Sequence, residues 1–123
     1  MSTIKRLPDS EFNVLKIIWH LPNPVTSAQI IEQLGEDNHW KPQTLLTVLA
    51  RLTEKGFLES TRKGRERHYT ALISEEEYLA VETSDFLNRY KGNSLGNLAK
   101  TLFAHQHLSE QDIADIRSLL NQK

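Results

Sequence analysis

The chain has 123 residues and none of them is cysteine. The absence of cysteine excludes disulfide bonds and thiolate metal sites such as zinc fingers. The sequence also lacks an apolar run of about 18 residues, the length that a membrane-spanning helix needs. Because the polar amino terminus has no apolar signal core either, we expect a protein that stays in the cytoplasm and does not enter the membrane.

Sequence motifs of catalysis are also missing. There is no glycine-rich phosphate loop, no nucleophile elbow and no paired-carboxylate motif. His105 and His107 are two residues apart, a spacing that does not place both on one face of a helix. A solvated loop explains them better than a metal site does. We therefore expect neither an enzyme nor a protein with a cofactor or metal.

Charge is nearly balanced over the whole chain but not along it. The formal net charge is −1. Residues 41–73 contain 7 lysines and arginines against 3 acidic residues, whereas residues 74–123 contain 5 against 8. A local excess of basic residues is what a DNA-binding surface requires.

The basic region contains a strongly patterned helix, the third predicted along the chain. Pro42 suits its first turn, and Gly56 is placed to end it. Four apolar residues recur with helical spacing and are predicted to form its buried face: Leu45, Val48, Leu49 and Leu52. The opposite face is short and mostly polar: Gln43, Thr44, Thr47, Ala50, Arg51 and Glu54. Such a face fits the major groove of DNA, although an ordinary surface helix would look similar.

A basic hairpin is predicted after this helix. Residues 57–61 and 68–72 are strand-like, and residues 62–67 between them contain four cations and one anion, with Gly64 at the tip. The segment can be a wing that contacts a phosphate backbone or a solvated charged hairpin. Three helices followed by a basic hairpin are typical of a winged helix-turn-helix. The fold class is therefore predicted to be mainly α with a small β-hairpin wing.

Residues 74–123 are predicted to form a separate helical domain after a winged domain of residues 1–73. Ser74 with Glu77 is a capping box that begins its first helix, as Thr26 with Gln29 is in the winged domain. Ser109 caps its last helix, with Asp112 at the third position. Residues 1–7 are predicted to be a frayed start.

The three helices of residues 74–123 have apolar faces that need a partner, since helices this short are not stable alone in water. We predict that the partner is a second copy of the chain in a two-fold dimer, the alternative being that the helices pack on their own winged domain. The predicted dimer residues are Leu79, Phe86, Leu87, Tyr90, Leu95, Leu98, Leu102, Phe103, Ile113, Ile116 and Leu120.

Nearly the whole sequence resembles the penicillinase and methicillin-resistance repressors, the BlaI/MecI family. The longest shared motif is W-x-P-x-T-x-x-T-x-L-x-R-L-x-x-K-G-F, from Trp40 to Phe57. Further matches are E-F-x-V-L-x-I-I-W at residues 11–19, I-I-E-x-L at 30–34, F-L-N-R-Y-x-G at 86–92 and L-S-x-x-D-I at 108–113. The resemblance implies a homodimeric winged-helix repressor of palindromic operators built on TACA/TGTA-type half-sites, in a β-lactam-resistance or related stress regulon.

The resemblance also implies which residues contact DNA. Reading residues map to the third helix and phosphate contacts to the wing, giving Lys41, Gln43, Thr44, Leu46, Thr47, Arg51, Arg62, Lys63, Arg65 and Arg67. Position 46 is often polar or basic in the best-known members. Leu46 could meet a thymine methyl group or could pack inward.

The family's inducing step maps to the fifth helix. In the β-lactam repressors a membrane sensor triggers proteolysis of an Asn-Phe bond, and the aligned bond here is Thr101–Leu102, which lacks the asparagine. The copper-responsive branch of the family uses paired cysteine motifs, which this chain does not have. Two other functions remain open from the residues: a ligand-responsive winged-helix regulator and a winged-helix module that binds protein.

Overall fold

The computed structural model describes residues 4–34, 40–90, 95–105 and 107–122. Its elements are α1 (Asp9–Trp19), α2 (Ser27–Leu34), α3 (Pro42–Glu54), β1 (Leu58–Lys63), β2 (Glu66–Ala71), α4 (Glu75–Arg89), α5 (Leu95–Ala104) and α6 (Glu110–Leu120). The described residues are thus mainly helical with one antiparallel hairpin. This confirms the predicted fold class and the predicted order of elements.

Both predicted capping boxes are formed, and the predicted Ser109 cap is a capping box as well. In the first, the N–H of Thr26 donates to Oε1 of Gln29 at 2.9 Å, and the N–H of Gln29 donates to Oγ1 of Thr26 at 3.3 Å. The Ser74 box has both reciprocal bonds at 3.0 Å, as does the Ser109 box. Each box satisfies N–H groups that the first turn of a helix leaves without a partner.

The first three helices and the hairpin enclose one hydrophobic core. The predicted buried face of α3 is confirmed, since Leu45, Leu49 and Leu52 are fully buried and Val48 nearly so. Side chains from every element up to the start of α4 complete the core: Leu7, Val14, Leu15, Ile18, Val25, Ile30, Leu34, Phe57, Leu58, Tyr69 and Tyr78.

Tyr78, in the first turn of α4, lies at the centre of an aromatic cluster. It is fully buried. Its ring centroid is 5.3 Å from that of Phe12, 5.8 Å from that of Phe57 and 6.0 Å from that of Trp19. Tilted and edge-on ring pairs at such distances add about 0.5–1.5 kcal/mol each beyond their burial. The start of α4 is therefore part of the core of the winged domain.

The hydroxyl of Tyr78 holds the amino-terminal segment against α4. It accepts a bond from the N–H of Leu7 at 2.6 Å and donates to Oε2 of Glu82 at 2.9 Å. Nε of Arg6 donates to the other oxygen of Glu82 at 2.8 Å. The prediction of a frayed start is therefore wrong for residues 4–7: Leu7 is buried, and Ile4 packs against the core.

Backbone and side-chain hydrogen bonds attach the hairpin to the segment after α1. Val25 and Tyr69 exchange N–H to carbonyl bonds of 2.9 and 2.8 Å, which adds a single bridge beside the two strands. Oδ1 of Asn23 accepts from the N–H of Ala71 at 2.8 Å. Nε1 of Trp19 donates to the carbonyl of Ile73 at 2.8 Å. These bonds fix the base of the hairpin relative to the helices.

An ion pair between buried Glu11 and exposed Lys55 joins the start of α1 to the end of α3. The carboxylate of Glu11 is almost fully buried, and Nζ of Lys55 lies 2.5 Å from its Oε1. Removing Lys55 would leave the charge of the Glu11 carboxylate without compensation in the core.

The chain divides into two compact units, one reaching to Phe86 and one beginning at Leu87. The domain boundary predicted from the sequence lies earlier, between residues 73 and 74. The structure places the first part of α4 with the winged unit because Tyr78 is a core residue there. None of the helices described is both long enough and apolar enough to cross a bilayer.

Replacing Tyr78 by phenylalanine should lower the free energy of unfolding by about 1–2 kcal/mol at pH 7, because the buried N–H of Leu7 loses its acceptor. Burial, the largest cause, raises the pKa of Tyr78 from 10.0 to about 12. As the pH rises from 10 to 12, the unfolded wild-type chain therefore loses this proton before the folded one, and its stability falls. Phenylalanine has no such proton, so the difference in free energy of unfolding between the wild type and Tyr78→Phe should become smaller.

Urea unfolding followed by tryptophan fluorescence at pH 7 and pH 11 measures both effects. Ser84→Ala, which removes an exposed hydroxyl from the same helix, is the control and should change stability by less than about 0.5 kcal/mol. Equal stability of wild type and Tyr78→Phe at pH 7 would contradict the role assigned to the hydroxyl.

Candidate nucleic-acid interface

The exposed face of α3 is set by the burial of its other side. Since successive residues turn by about 100°, Gln43, Thr47, Ala50 and Glu54 lie opposite the buried leucines, and all four are exposed. Thr44 and Arg51 lie along one edge of this face, and Leu46 along the other. The face therefore has a polar centre with a cation on one edge and an apolar residue on the other.

The hydroxyl of Thr47 already has a partner within the helix. Its Oγ1 donates to the carbonyl of Gln43 at 3.1 Å, one turn earlier. Threonine hydroxyls commonly bond backward in this way. Because this hydroxyl proton is already engaged, Thr47 can bind a ligand through its oxygen, as a hydrogen-bond acceptor, or through apolar contact with its methyl group. Gln43 beside it retains a side-chain amide that can both donate and accept.

The hairpin is longer than predicted from the sequence. The strands were expected at residues 57–61 and 68–72, but β1 continues to Lys63 and β2 begins at Glu66. Only Gly64 and Arg65 form the loop. The reason is Gly64, whose φ of +65° allows the chain to reverse within two residues. Most of the basic segment therefore lies on paired strands rather than in a loop.

Strand pairing separates the basic side chains onto two faces. Arg62 pairs with Arg67, and Lys63 pairs with Glu66. Because side chains alternate along a strand, the two arginines share the face of Tyr69, which is buried, whereas Lys63 points to the opposite face. Nη1 of Arg67 also donates to Oγ of Ser60 on that shared face, at 3.1 Å.

Like charges directly opposite each other in a sheet are destabilising. The Arg62–Arg67 pair is therefore a local cost to the fold, and a bound anion would offset it. Both guanidinium groups are exposed, and each can contact a phosphate through two parallel N–H donors.

The two arginines line an open cleft of about 360 Å³ between α3, the hairpin and the first turn of α2. Leu46 forms the α3 side of this cleft, and Arg65 from the loop also lines it. The remaining lining residues are Thr26, Ser27, Ala28, Glu66 and Tyr69. Three cations against one carboxylate make the cleft suited to an anionic backbone.

All ten residues predicted to contact DNA are exposed. The structure brings Leu46, Arg62, Arg65 and Arg67 to one cleft and places Gln43, Thr47 and Arg51 on the neighbouring face of α3. Lys41 immediately precedes α3, and Lys63 lies on the far face of the hairpin. The first turn of α2 is not among the residues predicted for the site, although the Thr26 capping box indicates where that turn begins.

The residues from Leu87 onward form a unit with little interior. No side chain described within residues 87–122 is fully buried. Of the predicted dimer residues, Leu79, Phe86, Leu87, Tyr90, Leu102, Phe103, Ile116 and Leu120 are exposed, and Leu98 and Ile113 are partly exposed. The side chain of Leu95 lies outside the described residues. Thr101 and Leu102, at the predicted cleavage position, lie exposed within α5.

An apolar groove of about 250 Å³ lies between α5 and α6, lined by Ala99, Phe103, Leu108, Ile113, Ile116, Arg117 and Leu120. The rings of His105 and His107 are 6.2 Å apart. The part of the chain that the structure describes contains no cluster of three or more side chains able to hold a metal ion.

Comparison with known proteins gives consistent matches. The family model described as penicillinase repressor matches residues 7–122. The penicillinase repressor of Bacillus licheniformis is 30% identical over 122 residues, which cover 99% of this chain and 94% of that protein.

Two solved structures resemble the winged unit. The DNA-binding domain of the repressor BlaI is 35% identical, with a TM-score of 0.54, and covers 63% of this chain and 94% of its own. Monomeric BlaI of Bacillus licheniformis, solved in complex with the blaP half-operator, is also 35% identical with the same coverage and a TM-score of 0.51. Both support the winged-helix architecture.

The two faces of the hairpin should differ in their contribution to DNA binding. We expect Arg62→Ala and Arg67→Ala each to weaken binding to all duplexes alike and to lower the slope of log affinity against log salt concentration by about 1, the effect of one lost phosphate contact. Lys63→Ala, on the opposite face of the same strands, is the matched control and should change the slope less. Titrations by fluorescence anisotropy at several salt concentrations measure this, and a larger effect of Lys63→Ala would contradict the assignment of faces.

Proposed function

The chain belongs to the penicillinase repressor family, and we propose that it is a dimeric transcriptional repressor that binds a palindromic DNA operator. The observation that carries the proposal is the cleft in which Arg62, Arg65 and Arg67 lie beside the exposed face of α3. The proposed site of action is chromosomal DNA, which places the protein in the cytoplasm.

The cations of this interface lie mainly on the hairpin and its polar side chains mainly on α3, an arrangement that fits sequence-specific binding. Arginines on the hairpin can hold phosphates, which orients a protein on the duplex without reading its sequence. Gln43, Thr47 and Arg51 on α3 carry the donors and acceptors that can bond to base edges in the major groove. A winged helix that docks protein instead would have apolar anchors at the centre of the face, and here the centre is mostly polar.

The exposed apolar residues of the second unit support the dimer. Helices of 10 or 11 residues such as α5 and α6 are marginal alone in water, and no side chain described in this unit is fully buried. Phe103 is 63% exposed and Leu120 74% exposed at the groove between the two helices. A second copy would cover these surfaces, and the dimer would place one winged unit on each of two half-sites.

The operator and the regulon are proposed from the family. The half-sites would be of the TACA/TGTA type, and the genes controlled would belong to a β-lactam-resistance or related stress regulon. BlaI bound to the blaP half-operator as a monomer is a relative in which one winged unit contacts one half-site. Two linked units would bind a palindrome far more tightly than one, since the second contact is intramolecular.

Fluorescence anisotropy on three labelled duplexes tests the proposed function. One duplex carries a TACA/TGTA palindrome, the second a single half-site and the third a scrambled sequence, each titrated at several salt concentrations. We expect tight, salt-sensitive binding to the palindrome and weaker binding to the half-site. Equal, weak binding to all three, together with no sequence enriched in a selection from random duplexes, would contradict an operator-binding function.

A dimer variant extends the same experiment. Phe103→Glu combined with Leu120→Glu should reduce binding to the palindrome to the level of a half-site and leave half-site binding unchanged. Leu72→Glu alters an exposed leucine of the winged unit and serves as the control. Sedimentation velocity reports the oligomeric state, and a double variant that remains dimeric would place the interface elsewhere.

Induction is proposed to occur by proteolysis within α5 at Thr101–Leu102, by a protease that a membrane sensor triggers. Cutting there would remove the chain from Leu102 onward, including all of α6, and with it the apolar surface proposed for the dimer. One winged unit on one half-site binds far more weakly than two linked units on both half-sites. The cut would therefore release the operator without altering the DNA-binding face.

Mass spectrometry of the protein recovered from cells before and after β-lactam exposure tests the cleavage. We expect a fragment ending at Thr101 to accumulate on induction. Thr101→Asn restores the asparagine of the family's cleaved bond at an exposed position and should speed its appearance. Induced transcription of the target genes with an intact chain throughout would contradict cleavage as the trigger.

A further inference from the structure

Leu46 is an exposed leucine on the hairpin-side edge of α3, beside the basic side chains of the cleft. We propose that it is a specificity-determining residue that recognises the 5-methyl group of a thymine in the major groove. The inference rests on the proposed DNA-binding function and deepens it, because it names a chemical group that the half-site must contain at one position.

The position of Leu46 on α3 excludes the alternative that it packs inward. The side chain is 43% exposed, whereas that of its neighbour Leu45 is fully buried. It lines the basic cleft and also the adjoining cleft of about 500 Å³ between α3 and the hairpin. Nothing in the core of the winged unit requires leucine here, so its apolar surface is available to a ligand.

The neighbours of Leu46 define where that apolar surface points. Ala50, one turn later, lines the second cleft with it, and the two residues form an apolar strip along the hairpin-side edge of α3. Arg67 lines both clefts on the hairpin side. A phosphate held by Arg67 would bring the base edges of that strand toward Leu46, while the small Ala50 lets the duplex approach the helix closely.

Thymine is the base whose chemistry matches this strip. Leucine has no donor or acceptor, so it distinguishes bases only by apolar contact. Of the four bases, thymine alone presents a methyl group in the major groove. Burying one such group against an apolar side chain corresponds to about fourfold in affinity at one half-site, and to about fifteenfold when both half-sites of a palindrome are engaged.

Replacing thymine by deoxyuridine removes this methyl group and leaves the Watson–Crick pairing unchanged. The probe is the tightest duplex obtained by selection from a random library with the full-length protein. Each thymine of its half-site is replaced in turn by deoxyuridine, and affinities are measured by anisotropy. We expect one thymine whose replacement weakens wild-type binding about fourfold per half-site.

The same series is then repeated with Leu46→Ala. This variant should bind the thymine duplex as weakly as the wild type binds the deoxyuridine duplex, and it should not distinguish the two. Leu72→Ala truncates another exposed leucine of the same unit and should keep the full discrimination. Thermal unfolding of Leu46→Ala should match that of the wild type, since the side chain is not part of the core.

Three results would count against the inference, and they separate it from the proposed function. The role of Leu46 is overturned if no deoxyuridine replacement weakens wild-type binding. It is also overturned if Leu46→Ala still distinguishes thymine from deoxyuridine as the wild type does. Either result leaves operator binding intact. Selection that recovers no preferred sequence overturns sequence-specific repression itself, and the inference with it.

Discussion

The burial of Tyr78 is the constraint on which the winged unit depends. Its ring fills the centre of a cluster with Phe12, Trp19 and Phe57, and its hydroxyl satisfies the N–H of Leu7 and donates to Glu82. One residue at the start of α4 thus holds the amino-terminal segment, the first helix and the beginning of β1 together. These contacts join residues 7–19 to Phe57 and to α4, which are far from them in sequence.

The geometry of the DNA-facing surface follows from this core through hydrogen bonds at the base of the hairpin. The indole of Trp19 packs on Tyr78 and donates to the carbonyl of Ile73, just after β2. Val25 pairs with Tyr69 in the middle of β2, so the hairpin is fixed both at its end and along its length. Because strand register then sets the direction of each side chain, the core determines that Arg62 and Arg67 lie on the side of the cleft and that Lys63 does not.

The features that could be predicted from the sequence are those that depend on near neighbours in the chain. The buried face of α3, the three helix caps and the glycine at the hairpin tip are local, and all are confirmed. The position of Tyr78 and the burial of Leu7 could not be predicted, because both depend on contacts between residues about 70 apart. The basic residues of the site were identified correctly as exposed, but their division between two faces required the strand register, which a one-residue shift would reverse.

A near-neutral chain can bind a polyanion when its few cations are placed on one surface. The net charge of −1 supplies no long-range attraction, so affinity must come from contacts in the cleft, where Arg62 and Arg67 are held opposite each other at a cost to the hairpin. We expect such a surface to bind weakly as a single copy, and the proposed pairing of two copies would make binding strong. In the proposed dimer, the apolar residues left exposed from Leu87 onward would then have a regulatory consequence: any event that prevented their pairing would lower operator occupancy without a change in the DNA-binding face.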